Sequence, residues 1–309
     1  MCRDGRPRPS KPSAAWQALG GQRQEPRVIL SVVIVTHNEE TNIGRTLASV
    51  QPLVADGKGE IIVVDSGSTD RTVEIAKSHG AKVFVEEWKG YAAQKNSAID
   101  KAAGDWILSL DADEEVSAEL AREVQNEQTH GNLSPDFNEF TKPDPHYRPN
   151  SSQSAGCRGY FICRKNFFLG RWIRHGGFWP DYKLRLFRRG AGRFEERLVH
   201  EDVKLLGGAS RRSLSGALIH HPYPTLADYI GHMNRYSSLG AEMVVAKGRH
   251  GFSLFNIVLR PLTTFIYNYF FRLGFLDGRE GLLLHLYHAA YVSWKYAKAW
   301  ELARNKESS

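Results

Sequence analysis

Four short apolar runs near the start of the chain alternate with segments of helical periodicity. The runs are Val28–Val35, Glu60–Asp65, Ala81–Val85 and Asp105–Leu110. Unbroken apolar runs are typical of parallel strands that are covered on both faces. The intervening segments, such as 42–50, place apolar residues at helical spacing. This alternation predicts an α/β fold with a doubly wound, mostly parallel sheet, which binds its ligands at the carboxyl ends of the strands.

Composition divides the chain into three parts. Residues 1–26 contain Pro, Arg and Ser without an apolar run, and we interpret them as a disordered leader. Residues 27–224 hold the predicted α/β domain, in which 126–156 is a polar insertion loop. Residues 225–309 are predicted to be helical and are rich in aromatic side chains.

Charge and cysteine content narrow the functional class. The net charge is +7, and the excess lies in residues 1–27 and 251–309, at the two ends of the chain. A nucleic-acid binder is expected to carry such charge on one face of its fold, so we expect no nucleic-acid partner. The three cysteines have no regular spacing, which indicates a reducing compartment without a disulfide framework.

Two carboxylates, Asp111 and Asp113, follow the fourth apolar run directly. Buried carboxylates are costly unless a cation or hydrogen-bond donor meets them. Mg²⁺ binds one or two carboxylates together with substrate phosphates, so the pair predicts a site for Mg²⁺ or Mn²⁺ and a nucleotide diphosphate. The alternative is a strand that ends in an ordinary acidic turn.

Three further segments place polar groups at strand ends or in the adjacent helix. These groups are Thr36, Asn38, Glu39, Asp65 and Lys95. In a doubly wound sheet all of them can converge on one crevice. The alternatives are structural: Glu39 as an acidic first turn of a helix, Lys95 as a solvated helix residue, and Asp70 as a helix cap.

The order and spacing of these motifs over residues 28–220 resemble the GT-A fold of family 2 glycosyltransferases. The matching segments are Ser31–Glu39, Ile62–Asp70, Gln94–Asn96 and Leu110–Asp113. The resemblance implies that Thr36, Asn38, Glu39 and Asp65 hold the uracil and ribose of a UDP-sugar donor. It also implies that Asp111 contacts the ribose or a metal-bound water, and that Asp113 binds the metal.

A later block resembles the bacterial lipopolysaccharide-core β-1,4-glucosyltransferases. Its segments are Gly176–Arg188, Val199–Asp202 and Ile219–Tyr223. The resemblance implies that Glu201 is the general base and that His220 is a third metal contact. His220 is favoured over His221 because the resembled pattern places His three residues before Tyr, and packing in the core or at the surface is the alternative. Asp202 and Asp181 are the alternative bases, since an inverting transfer needs one carboxylate at the acceptor hydroxyl. Arg185 and Arg188 are candidates for neutralising the departing diphosphate, with surface charge as the alternative.

The carboxyl-terminal region suggests contact with a membrane. Gly281 to Trp294 is uncharged over 14 residues, which is too short to span a bilayer. Aromatic residues mixed with Lys and Arg predict helices that lie in the interface of an anionic membrane. We therefore expect a cytoplasmic protein, peripheral on the inner face of the cytoplasmic membrane. The alternative is that these helices only pack on the catalytic domain.

The sequence thus predicts an inverting, metal-assisted transfer of a hexose, glucose by default, from a UDP-sugar to a glycan or glycolipid of the cell envelope. A polyprenyl-phosphate acceptor is an alternative. A nucleotidyltransferase would usually have a phosphate-binding loop rich in Gly, Lys and Arg where this chain has Thr-His-Asn-Glu. A non-catalytic binder of anionic surfaces would leave Asp111, Asp113 and the His-Glu-Asp segment without a role.

Overall fold

The computed structural model describes residues 29–129, 157–195, 202–206, 211–248 and 251–307. The strands are β1 (Leu30–Thr36), β2 (Gly59–Asp65), β3 (Lys82–Val85), β4 (Trp106–Asp111), β5 (Glu114–Val116), β6 (Gly159–Phe168), β7 (Arg171–Trp172), β8 (Tyr182–Arg188), β9 (Gly192–Phe194), β10 (Val203–Leu205) and β11 (Arg211–Tyr223). The helices are α1 (Ile43–Val54), α2 (Thr72–Ser78), α3 (Tyr91–Asp100), α4 (Ala118–Thr129), α5 (Leu226–Ala246), α6 (Arg260–Ile266) and α7 (Gly278–Glu307). The predicted leader, and residues 130–156 of the predicted insertion loop, lie outside the described residues.

The first half of the sheet is parallel, as predicted. Strand β1 pairs in parallel with β2 and β4, and β2 pairs in parallel with β3. The register places Thr36 beside Asp65, and Val35 beside Asp111. The carboxyl ends of these strands therefore meet at one edge, where the sequence places its polar groups.

Helices cover both faces of the parallel strands, which confirms the doubly wound arrangement. Leu47 of α1 and Leu120 of α4 belong to the core cluster on one face, together with Val32. Ala98 of α3 and Val33 belong to the cluster on the other face. Each strand contributes alternate side chains to the two clusters, which explains why its sequence lacks a polar alternation.

The second half of the sheet contains antiparallel pairs. The strand order continues from β4 through β8, β6 and β11 to β5, and β8 is antiparallel to both β4 and β6. Strand β5, which begins one residue after Asp113, was not predicted from the sequence. Strand β5 has only three residues, too few for a periodic signal.

The carboxyl-terminal region is helical, as predicted, and its helices contact the α/β domain. Helix α5 begins after Thr225, whose hydroxyl accepts from the backbone N–H of Asp228 in a capping box. Asp277, just before α7, is buried, and its carboxylate accepts from the backbone N–H groups of Arg174 and His175. Within the described residues, none of the helices has both the length and the apolar character that crossing a bilayer requires.

Candidate active site

Asp111 ends β4 between two basic side chains. Lys95 of α3 donates to one carboxylate oxygen over 2.7 Å, and Arg185 of β8 donates to the other over 2.7 Å. Burial raises the pKa of Asp111, but Arg185 and Lys95 outweigh that effect and hold its pKa well below the ordinary value. Asp111 is therefore a carboxylate whose oxygens are both paired with cations.

Glu114 extends this network into the protein, and the sequence analysis missed it. Its side chain is fully buried, and it accepts from Arg185 at 2.8 Å and from Arg164 at 3.2 Å. Its second oxygen accepts from the backbone N–H of Asp111 over 3.0 Å. The available signal was a third acid directly after Asp113, but its partners lie on distant strands. Glu114 fixes two arginines beside the end of β4.

The ion pairs of Glu114 should contribute strongly to stability. Glu114→Gln is expected to lower the free energy of unfolding by about 3 kcal/mol, because Arg164 and Arg185 would lose the fully buried carboxylate that they share. Glu74→Gln provides the matched control, since the Arg71–Glu74 pair is exposed. Urea denaturation followed by circular dichroism measures both. An equal midpoint for the two variants would contradict the structural role of Glu114.

Asp113 and His220 form the second part of the site. The Oδ2 atom of Asp113 lies 3.3 Å from Nε2 of His220. The Nδ1 atom of His220 lies 2.8 Å from Oδ1 of Asn166, whose amide nitrogen donates to Phe178 O and to Asp181. Since Asn166 offers an oxygen, the imidazole donates through Nδ1. In the tautomer that carries its proton on Nδ1 alone, the lone pair of Nε2 faces Asp113. Two acceptors that face each other in this way suit an interposed cation.

The ends of β1 and β2 form a tightly bonded pair of turns. Asp65 is buried, and its carboxylate accepts from the backbone N–H groups of Gly67 and Ser68 and from the Ser68 hydroxyl. Asn38 has a positive φ of 54°, and its side-chain oxygen accepts from Thr69 N over 2.8 Å. The two turns therefore hold each other in place at the crevice.

Thr36, Glu39 and Asp70 complete this edge. The hydroxyl of Thr36 is buried and has no hydrogen-bond partner within the described structure. Glu39 is half-buried, and burial raises its pKa above the ordinary value. Asp70 accepts from Thr72 N and from Glu40 N. Asp70 thus stabilises a turn, which agrees with the structural alternative for this residue.

Of the remaining predicted residues, some lie beside the site and others do not. Asp181 lies beside the site, since it accepts from Arg164 Nε over 2.9 Å. Asp202 is 58% exposed and lies 3.8 Å from Lys183. Glu201 lies outside the described residues. Arg188 is not brought to the site: it pairs in register with Trp106, at the opposite end of β4 from Asp111.

No group of three or more His, Cys, Asp or Glu side chains in the described ranges has a metal-binding arrangement. A metal held here would rest on Asp113 and His220, because Lys95 and Arg185 occupy both oxygens of Asp111. Two ligands at about 2.1 Å from one ion lie roughly 3 Å apart. The 3.3 Å separation of Asp113 from His220 therefore fits a shared cation.

This chain is similar to a family model and to several known proteins. Residues 31–190 match the family described as glycosyl transferase family 2. An uncharacterised glycosyltransferase of Rickettsia typhi is 30% identical over 284 residues, which cover 89% of this chain and 87% of the relative. The lipopolysaccharide core biosynthesis glycosyltransferase LpsC of Rhizobium meliloti is 27% identical over 282 residues, which cover 89% and 93%. A mannosyltransferase of Pyrobaculum calidifontis, solved with GDP-Man and Mn²⁺, is 16% identical, with a TM-score of 0.48 and 90% and 88% coverage.

Proposed function

Because this chain belongs to glycosyl transferase family 2, we propose that it transfers a hexose from a UDP-sugar to a hydroxyl group, with inversion and with the help of Mg²⁺ or Mn²⁺. Glucose is the default sugar. The observation that carries the proposal is the Asp113–His220 pair at the carboxyl edge of the sheet. It lies beside Asp111, whose ion pairs with Lys95 and Arg185 leave a bound metal as the charge that would stabilise a diphosphate.

Asp113 and His220 would hold the metal, which would supply positive charge to the leaving diphosphate. Asn166 fixes the imidazole by accepting from Nδ1, as partners of metal-bound histidines commonly do. Arg185 is bonded to Asp111 and Glu114, so it holds the Asp111 carboxylate in place beside the proposed metal site. Arg188 has no part in this proposal because it lies at the opposite end of β4.

The nucleoside is assigned to the paired turns of β1 and β2. The buried hydroxyl of Thr36 has an unused donor and acceptor, which supports a contact with a bound ligand. Asn38, Glu39 and Asp65 shape the same pocket. Asp65 acts through the turn that it holds, since its oxygens already accept from Gly67 and Ser68.

The acceptor is proposed to be a glycan or glycolipid of the cell envelope. The likeness to LpsC, a protein named for lipopolysaccharide core biosynthesis, supports this class. A polyprenyl-phosphate acceptor is the alternative. A nucleotidyltransferase is disfavoured because the loop after β1, Thr36 to Glu39, provides acidic and amide groups instead of a basic phosphate loop.

A panel of nucleotide sugars tests the donor assignment. Purified protein is incubated with each sugar and Mn²⁺ or Mg²⁺, and the released nucleoside diphosphate is measured. UDP release from a UDP-hexose, abolished by EDTA, is the expected result. Pyrophosphate release from a nucleoside triphosphate and a sugar phosphate would instead identify a nucleotidyltransferase.

We also propose that the helical region of residues 225–309, which packs on the α/β domain, rests on the inner face of the cytoplasmic membrane. Large apolar side chains are exposed along this region, among them Phe252, Leu254, Phe255, Leu262, Phe270 and Phe271. Residues 252–276 contain no Asp or Glu, and Arg260 and Arg272 are both exposed. An apolar face with only positive charges suits anionic lipid, which contributes about 1 kcal/mol per basic residue.

Vesicle binding provides the test of this surface. The double variant Phe270→Ser with Phe271→Ser is expected to bind vesicles containing anionic lipid at least about tenfold more weakly, because two large apolar side chains no longer enter the bilayer. Leu206→Ser is the control, since Leu206 is also exposed but lies in the β9–β10 hairpin region. Cosedimentation measures both variants. Equal binding of the double variant and wild type would rule out this face as the membrane contact.

A further inference from the structure

Two exposed aromatic rings lie at the edge of the crevice, outside the network described above. Trp88 is 51% exposed and Tyr91 is 44% exposed. Their ring centroids are 4.7 Å apart and their planes are nearly perpendicular, which is a favourable edge-to-face contact. Grouped apolar side chains left open to water often mark a binding surface.

The position of Tyr91 on its helix directs it toward the site. Tyr91 begins α3, and Lys95 follows four residues later, so the two side chains share one helix face. Lys95 reaches Asp111 over 2.7 Å. Helical side chains tilt toward the amino terminus of their helix, which for α3 lies at the carboxyl edge of the sheet. Tyr91 therefore lies one turn above the Lys95–Asp111 ion pair, and Trp88 packs against it.

The loop that carries Trp88 is held firmly. The backbone N–H of Glu86 donates to Asp65 O over 2.9 Å, which ties the loop to the end of β2. The Glu86 carboxylate accepts from Ser97 over 2.7 Å, from Lys89 over 3.0 Å and from Lys101 over 2.5 Å. The rings are thus positioned before any ligand arrives, and little ordering is required on binding.

We infer that Trp88 and Tyr91 form a stacking surface for the nucleobase of the donor. This inference rests on the proposed function, because it assigns a part of the same donor site. The base is the only planar aromatic part of a nucleotide sugar. The loop that carries Trp88 is bonded to Asp65, which lies at the proposed nucleoside end of the crevice. The diphosphate belongs farther from the rings, at Asp113 and His220. Stacking on an aromatic ring accepts every base, so this surface provides affinity and leaves the choice of base to polar groups.

Titration calorimetry with two probes tests the inference. UDP and inorganic pyrophosphate, each with Mn²⁺, are titrated into wild type, Trp88→Ala and Trp88→Phe. Trp88→Ala is expected to weaken UDP binding about tenfold, the usual order for one stacked base, and to leave pyrophosphate binding unchanged. Trp88→Phe should restore most of the loss. Leu206→Ala serves as the control for the removal of an exposed apolar side chain.

Two other outcomes of this titration would overturn the inference. Unchanged UDP affinity in Trp88→Ala would show that no base stacks on the pair, even if the turnover with an acceptor falls. Equal losses for UDP and pyrophosphate would show that the substitution acts on the phosphate end or on the loop as a whole. If wild type binds no nucleoside diphosphate, the proposed function itself fails. If wild type and Trp88→Ala bind UDP equally well, only the stacking inference fails.

Discussion

Asp113→Ala is expected to abolish metal-dependent binding of a UDP-sugar, with a loss of more than about 100-fold in affinity. The metal would lose its protein carboxylate, and His220 alone would be left to hold it. Loss of an outer-shell partner already costs 10- to 100-fold in metal affinity, so loss of a direct ligand should cost at least as much. Calorimetric titration of the donor with Mn²⁺ measures the effect.

Three comparisons make this experiment specific. In EDTA, wild type and Asp113→Ala should bind the donor equally weakly, because the substitution acts through the metal. Asp100→Asn is the control for loss of a carboxylate, since Asp100 forms an exposed ion pair with Arg193. Asp111→Ala should weaken binding less than Asp113→Ala does, because its oxygens face Lys95 and Arg185. Full donor affinity of Asp113→Ala in Mn²⁺ would remove Asp113 from the metal site.

The parallel half of the fold could be predicted because its signals are local. Each of the strands β1, β2 and β4 is mostly apolar and ends in a polar residue, and the helices between them have amphipathic spacing. Strand β5 could not be predicted, since three residues carry no period. Its place beside β11 depends on pairing between Leu218 and Val116, which are far apart in the sequence.

The site was predictable where polar residues end predicted strands, and less so where partners come from distant strands. Asp111 and Lys95 were candidates from the sequence, and the structure pairs them. Glu114 and Arg164 were missed because their significance depends on the antiparallel pairing of β8 with β4 and β6. Arg188 was predicted together with Arg185, but it lies three residues farther along β8, toward the opposite end of β4 from Asp111.

Glu201→Gln is expected to lower kcat about 100-fold or more while leaving the affinity for the donor near that of wild type. The amide keeps the shape of the side chain but cannot take the proton of the acceptor hydroxyl. Glu201 itself lies outside the described residues. The two alternative bases, Asp181 and Asp202, lie within them. Single-turnover kinetics with a bound donor and a saturating acceptor separate the chemical step from binding.

The surroundings of Asp181 and Asp202 favour Glu201 as the base. Burial raises the pKa of Asp181, but Arg164 and Lys183 outweigh it and the pKa lies below the ordinary value, which makes this carboxylate a weak proton acceptor. Asp181→Asn should therefore act mainly on donor binding, because Asp181 also holds the amide of Asn166. Asp202→Asn should change kcat by less than about threefold, since an exposed carboxylate 3.8 Å from Lys183 is screened by water. Normal turnover of Glu201→Gln together with a large loss in Asp202→Asn would move the base to Asp202, one residue along the same segment.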